Sequence, residues 1–140
     1  MNKLSNYTKE INMSIYVENI EKATLENDNF RKVLATNQNS QLVVMNLKPS
    51  EDIGMEIHDD VDQFIRIEQG SGRAILNSQE YPIEDDFAVV IPAGTEHNIV
   101  NDSDEDMKLY TVYSPAEHPD GTIHKDKAEG DAYEKEKHGH

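Results

Sequence analysis

Between Phe30 and Ser114 the chain is a succession of short apolar runs, each closed within a few residues by Gly, Pro, Asp or Asn. The runs read FRKVLAT, QLVVMNL, MEIH, QFIRIEQ, RAILN, FAVVIPAG, HNIVN and MKLYTVYS. They are rich in Val, Ile and Leu, and several alternate apolar with polar residues, which is the signature of half-buried strands. About eight strands at this spacing bury their apolar faces by packing on one another, so the pattern predicts an all-β barrel or sandwich. KPSEDIG, DDVD, GSG, SQEYPIEDD and DSDED are the predicted turns and loops.

The flanks lack this pattern. Residues 1–16 read as a polar N-terminal arm, and VENIEKATLENDN as a short helix or an irregular connection into a barrel domain spanning 17–115. From residue 116 to 140 the composition is that of a solvated, largely irregular C-terminal tail, with Ile123 and Tyr133 as its sizeable apolar residues. A chain of 140 residues is the right size for one such domain.

Composition narrows the function. There is no cysteine, which excludes disulfides and thiolate metal sites. The formal net charge of −15 repels nucleic-acid phosphates and anionic lipid surfaces, and no cluster of Lys or Arg offsets it. Neither nucleic acid nor membrane is therefore an expected partner. The opening MNKLSNYTKEINMSIYV has no apolar signal core and no stretch approaches a membrane span, so the expected location is the cytoplasm.

The nonapeptide EIHDDVDQF, residues 56–64, carries one histidine among four carboxylates and a glutamine. On a strand, Glu56 and His58 share one face while Met55 and Ile57 take the other. On the strand that returns after the acidic loop, Gln63, Ile65 and Ile67 share a face, and Phe64 and Arg66 the opposite one. If these two strands pair, Glu56, His58 and Gln63 converge at one end of the barrel. His97 begins a later strand just after PAGTE and can project inward as well. Asp59, Asp60 and Asp62 read as the solvated loop, with Asp60 or Asp62 the substitute donor should Glu56 face away.

FAVVIPAGTEHNIVN resembles the second sequence motif of the cupins, with Pro92, Gly94, His97 and Asn101 at matching positions and Asp86 where the family has Gly. In the first motif, Gly70 anchors an alignment that puts Gln63 at the family's Glu, His58 at its second His and Glu56 at its first. The resemblance covers roughly residues 28 to 115. It implies a jelly-roll β-barrel, the double-stranded β-helix, whose interior holds a divalent transition metal on Glu56, His58, Gln63 and His97. Relative to three imidazoles and one carboxylate, the set keeps one negative charge. Two imidazoles and a carboxylate also make the facial set that leaves coordination positions open. Mn, Fe, Co, Ni and Zn all suit these donors.

The chain resembles the short, single-domain cupins often grouped with mannose-6-phosphate isomerases, which implies a small polar ligand such as a sugar or sugar phosphate. Three functions follow: a metal-dependent isomerase-like enzyme, an Fe(II) dioxygenase, or a binding module without turnover. For a phosphate, alternation favours neither Arg66 nor Arg73 in the pocket. Tyr110 and Tyr113 lie on opposite faces of the last strand, so that one of them either lines the cavity or, more commonly for a tyrosine, packs in the core. EHPDGTIH brings His118 and His124 near the barrel end, as a lid or as part of the solvated tail, and His138 and His140 offer adventitious chelation. The resemblance further implies a homodimer with an exchanged arm, anchored by Ile11, Ile15 and Tyr16.

Overall fold

The computed structural model describes residues 14–138, with side chains for residues 14–136, so Ile11 and the rest of the arm's first thirteen residues lie outside the described residues. After helix α1 (Ile20–Glu26) come strands β1 (Arg31–Thr36), β2 (Gln41–Leu47), β3 (Asp62–Gln69), β4 (Gly72–Leu76) and β5 (Gln79–Ile83). Then follow β6 (Ala88–Ile91), β7 (His97–Val100), β8 (Met107–Ser114), β9 (Ile123–His124) and helix α2 (Lys127–His138). All pairings are antiparallel, in a six-stranded sheet ordered β6-β3-β8-β2-β1-β9 and a three-stranded sheet ordered β5-β4-β7. This is the all-β architecture that the strand spacing predicts, in the jelly-roll form that the resemblance implies.

The core lies between the sheets. Alternate residues point inward: Val43, Met45 and Leu47 from β2, Ile65 and Ile67 from β3, Val89 and Ile91 from β6, and Met107 and Leu109 from β8. Ala74 and Ile99 meet them from the smaller sheet. On β8, Lys108 is buried too, because the segment after α1 covers the outer face: its Nζ donates to the Asn27 carbonyl at 2.6 Å and pairs with Asp28 at 3.2 Å. The Asn19 side chain caps α1 by accepting from the Lys22 N–H at 3.0 Å.

Three expectations are revised. SQEYPIEDD is not merely a turn: Gln79–Ile83 form β5, an exposed edge strand paired only with β4, which is where a proline is tolerated. MEIH forms no strand of its own and does not pair with β3. It joins the smaller sheet through one bridge, Glu56 to His97, while β3 pairs with β8 and β6. Register explains this: seven residues of β8 are already matched to β3, from Asp62–Ser114 to Gln69–Lys108.

The third revision concerns the segment after Ser114, which composition predicts as a solvated, largely irregular tail. It returns across the barrel, adds β9 beside β1, and ends in α2. Few apolar residues announce this docking, because its anchors are polar or small. The Gln41 side chain, inside the sheet opposite Tyr113, donates to the His118 carbonyl at 2.6 Å and accepts from the Glu117 and His118 N–H groups. Gly130 lies against the Phe30 ring, where a Cβ would come within 2.6 Å of Cε2. Lys127 pairs with Asp52 at 3.1 Å.

Two positive-φ positions shape the turns. Gly70, at φ +108°, closes β3 onto β4, and a Cβ there would lie 2.9 Å from the Asp106 carbonyl. Asp86 adopts φ +72°, so it keeps the left-handed conformation of the glycine it replaces; Asp tolerates this better than most residues. Its carboxylate accepts from Arg66 Nη2 at 3.0 Å, which keeps Arg66 at the surface.

The Asp52–Lys127 tether has a definite pH dependence. Burial alone would raise the Asp52 pKa, but hydrogen bonds from Asn98 and Lys127 outweigh it and lower it; burial would lower that of Lys127, but Asp52 and Asp131 together outweigh this and raise it. A depressed carboxylate stabilises above its unfolded pKa and loses that contribution as pH falls through the folded value; a raised amine loses its own as pH rises through its folded value. Between these limits, Asp52→Asn is expected to speed proteolytic cleavage within residues 127–136, and the difference from wild type is expected to vanish below the Asp52 pKa.

Candidate metal centre

Glu56 and His97 exchange two backbone hydrogen bonds, each 2.9 Å. Residues opposed in this way project their side chains to the same side, here the interior. His58 follows two residues on and returns to that side, its carbonyl fixed by the Gly94 N–H at 2.9 Å. One donor atom from each of Glu56, His58 and His97 thus falls within 4.8 Å of the others. The His58 and His97 ring centroids are 5.2 Å apart.

The protonation of His97 is set by its neighbour. Nδ1 lies 2.9 Å from the Thr95 carbonyl, which can only accept, so Nδ1 carries the hydrogen and Nε2 keeps its lone pair. Burial pushes the His97 pKa down and the nearby charge of His58 adds to this, against the opposing Thr95 carbonyl. A neutral imidazole oriented by a carbonyl is the form that binds metals.

His58 behaves in the opposite way. Burial would lower its pKa, but Glu56, Glu117 and Glu134 outweigh burial and raise it. Nε2 is 3.3 Å from Glu56 Oε1, and Nδ1 is 3.5 Å from Glu117 Oε2. Nε2 is buried, and its contact with the carboxylate falls short of good hydrogen-bond geometry. Burial also acts to raise the Glu56 pKa, and His58, with Arg31 behind it, outweighs this and lowers it. Metal–nitrogen bonds of about 2.0–2.1 Å put neighbouring donors roughly 3 Å apart, so the 3.3 Å spacing of Glu56 and His58 already suits a shared ion.

Gln63 reaches the interior from the other sheet. In register it lies between Tyr113 and Ile91, and its Nε2 donates to Thr111 Oγ1 at 3.0 Å. That bond fixes the amide and leaves Oε1 buried without a partner among the described residues. Of the acidic loop, Asp59 and Asp60 face solvent, and Asp62 accepts from the Ala93 N–H at 2.8 Å; neither Asp60 nor Asp62 joins the group around His97. Of the two tyrosines, Tyr113 is the inward one, its hydroxyl 3.4 Å from His118 Nε2 and its pKa raised by burial. Tyr110 faces outward beside Phe64.

Three charged groups that act on the centre escape sequence reasoning: Glu117 and Glu134, which lie in the segment with a tail's composition, and Arg31, which the sequence marks only as part of a strand. His118 and His124 are both buried, and each ring packs near Tyr133 of α2, at centroid distances of 6.0 and 5.1 Å. Asn101, the last residue of the second motif, is structural: its amide donates to the Leu47 and Glu105 carbonyls and accepts from Ser103.

The profile of the Cupin domain family matches residues 43–113. The Bacillus subtilis (strain 168) protein YrkC is 46% identical over 126 residues, which cover 85% of this chain and 67% of that protein. A protein of Acanthamoeba polyphaga mimivirus is 48% identical over 113 residues, 78% of this chain and 71% of its own. The crystal structure of BH2720 from Bacillus halodurans superposes with a TM-score of 0.83 at 40% identity, covering 85% of this chain and 95% of that one.

The two imidazoles are expected to titrate apart in metal-free protein. Followed by NMR, the His58 midpoint falls above 6.5 and the His97 midpoint below it, with His97 in the Nδ1–H tautomer. Coincident midpoints would contradict the arrangement.

Proposed function

The chain belongs to the cupin domain family, and from that premise we propose that it binds a divalent transition metal on Glu56, His58 and His97 and presents it to a small polar molecule inside the barrel. The observation that carries this reading is the convergence of three donors from two chain segments, with the His97 lone pair fixed and the His58 Nε2 buried 3.3 Å from the Glu56 carboxylate. Gln63 Oε1 is the fourth donor. The bound ion supplies Lewis acidity toward a carbonyl or hydroxyl oxygen of the ligand.

The protein's own groups define the rest. Glu117 holds the His58 ring through Nδ1 and stands as the carboxylate that accepts or returns a proton at that edge of the site. Tyr113 and His118 close the floor and exclude water. These roles fit an isomerase-like reaction on a sugar or sugar phosphate, in which a polarised carbonyl and a mobile proton are the two requirements. Solvent access to the centre is small, since both His58 and Glu56 side chains are largely covered.

A second reading, oxygenation at Fe(II), is favoured by the composition of the set, two imidazoles and one carboxylate with positions left open. Replacing Fe by Zn is expected to leave isomerase-type turnover of sugars intact within about tenfold and to abolish oxygenation, as read by product analysis with each metal in turn.

Metal content distinguishes the ligands. By elemental analysis of protein trimmed of His138 and His140, His97→Ala is expected to lose most of its metal, whereas His118→Ala and His124→Ala retain it. Equal losses in all three would sink the assignment.

A further inference from the structure

The three clustered donors are nearly sealed from solvent. His97 is 3% exposed, and the side chains of His58 and Glu56 are 8% and 16% exposed. On one side the cover is the segment that follows β8. Its Glu117 places Oε2 3.5 Å from His58 Nδ1, and the next residue, His118, brings Nε2 to 3.4 Å from the Tyr113 hydroxyl. Rings run in sequence from the centre into α2: His97 to His58 at 5.2 Å between centroids, His58 to Tyr113 at 6.2 Å, Tyr113 to His118 at 5.2 Å and His118 to Tyr133 at 6.0 Å. The segment therefore lies directly against the residues that close the centre.

The same segment contributes little to the core. Among residues 115–136 the buried positions are His118, His124 and Gly130, and the one large aliphatic side chain, Ile123, is 51% exposed. None of these residues belongs to the apolar cluster between the two sheets. Its attachments are separate and mostly polar: the Gln41 amide, the two-residue strand β9, Gly130 against Phe30, and the Lys127–Asp52 pair, a partly exposed ion pair of small worth. Lifting the segment uncovers the Phe30 and Tyr113 rings at one end and leaves the packing between the sheets in place. A stretch with so few buried apolar contacts opens at lower cost than the barrel that carries it.

We propose that residues 115–136 are a lid on the metal centre, which lifts from the barrel as a unit to admit the ligand. On reseating it returns Glu117 to His58 and shuts out water, so the site is complete only in the closed form. For what is admitted this rests on the metal reading above. The movement is a property of the chain itself and is tested without metal.

The test uses the metal-free full chain and diethyl pyrocarbonate, which acylates neutral imidazole, with modification of His97 timed by mass spectrometry. Lys32 and Ile123 are opposed on β1 and β9. Opposed Cα atoms in such strands are about 4.5–5.5 Å apart, a span that a disulfide bridges. The chain has no cysteine of its own, so the pair introduced by Lys32→Cys and Ile123→Cys is unambiguous. Oxidation of that protein is expected to slow His97 modification on the order of tenfold, and reduction to restore it. Gly130→Val, which crowds the Phe30 ring, is expected to speed modification by a similar factor.

Amide exchange separates a lid from global unfolding: residues 117–136 are expected to exchange faster than β3 and β8. Modification of His97 at one rate in the oxidised and reduced forms would put the entrance elsewhere and overturn the proposal. Exchange in residues 117–136 no faster than in β3 and β8 would overturn it as well. Should the variants not fold, exchange in the unaltered chain decides alone. A working gate in protein that holds no metal would sink the metal reading and leave the lid standing; metal bound beneath an immobile segment would do the reverse.

Discussion

Two backbone hydrogen bonds, from the Glu56 N–H to the His97 carbonyl and back again, carry the centre of this molecule. Because they form a reciprocal pair, the carboxylate and the imidazole are neighbours before any rotamer is chosen. His58 inherits its side from the two-residue period of extended chain, and Gly94 fixes the distance by binding its carbonyl. A slip of one residue in this bridge would turn Glu56 and His58 to solvent and leave Met55 and Ile57, now half-exposed, facing the interior.

Around that bridge the protein arranges charge with some economy. Its surface is strongly acidic, and within the barrel the imidazole of His58 is met by two carboxylates. His58 stands between Glu56 and Glu117, whose charges favour a proton on its ring and raise its pKa against burial. Metal binding at such a site releases that proton. For His97 burial prevails over the nearby carboxylates and lowers the pKa, which favours the neutral imidazole that ligates.

Much of this is legible in the sequence because it depends on local periodicity. Short apolar runs with turn clusters give the barrel, the Glu56–His58 spacing gives a shared face, and the second motif singles out His97. Asp86 in a glycine position is intelligible from the backbone, which keeps its left-handed turn and adds a link to Arg66. What the sequence conceals is long-range. Strand partners follow from global register, so MEIH pairs with β7 and not with the nearby β3. The C-terminal segment docks through the amide of Gln41, the missing Cβ of Gly130 and one ion pair, none of which raises local hydrophobicity. Arg31 looks like an ordinary polar residue at the start of a strand, and only burial distinguishes it.

The matched family region runs from Val43 to Tyr113, whereas Arg31, Glu117, His118 and Glu134 all fall outside it. The matched stretch thus holds the scaffold and the three clustered donors, while the groups that border them come from flanking chain. Homologues aligned on the common stretch alone can agree at every position there and still have diverged in what they recognise.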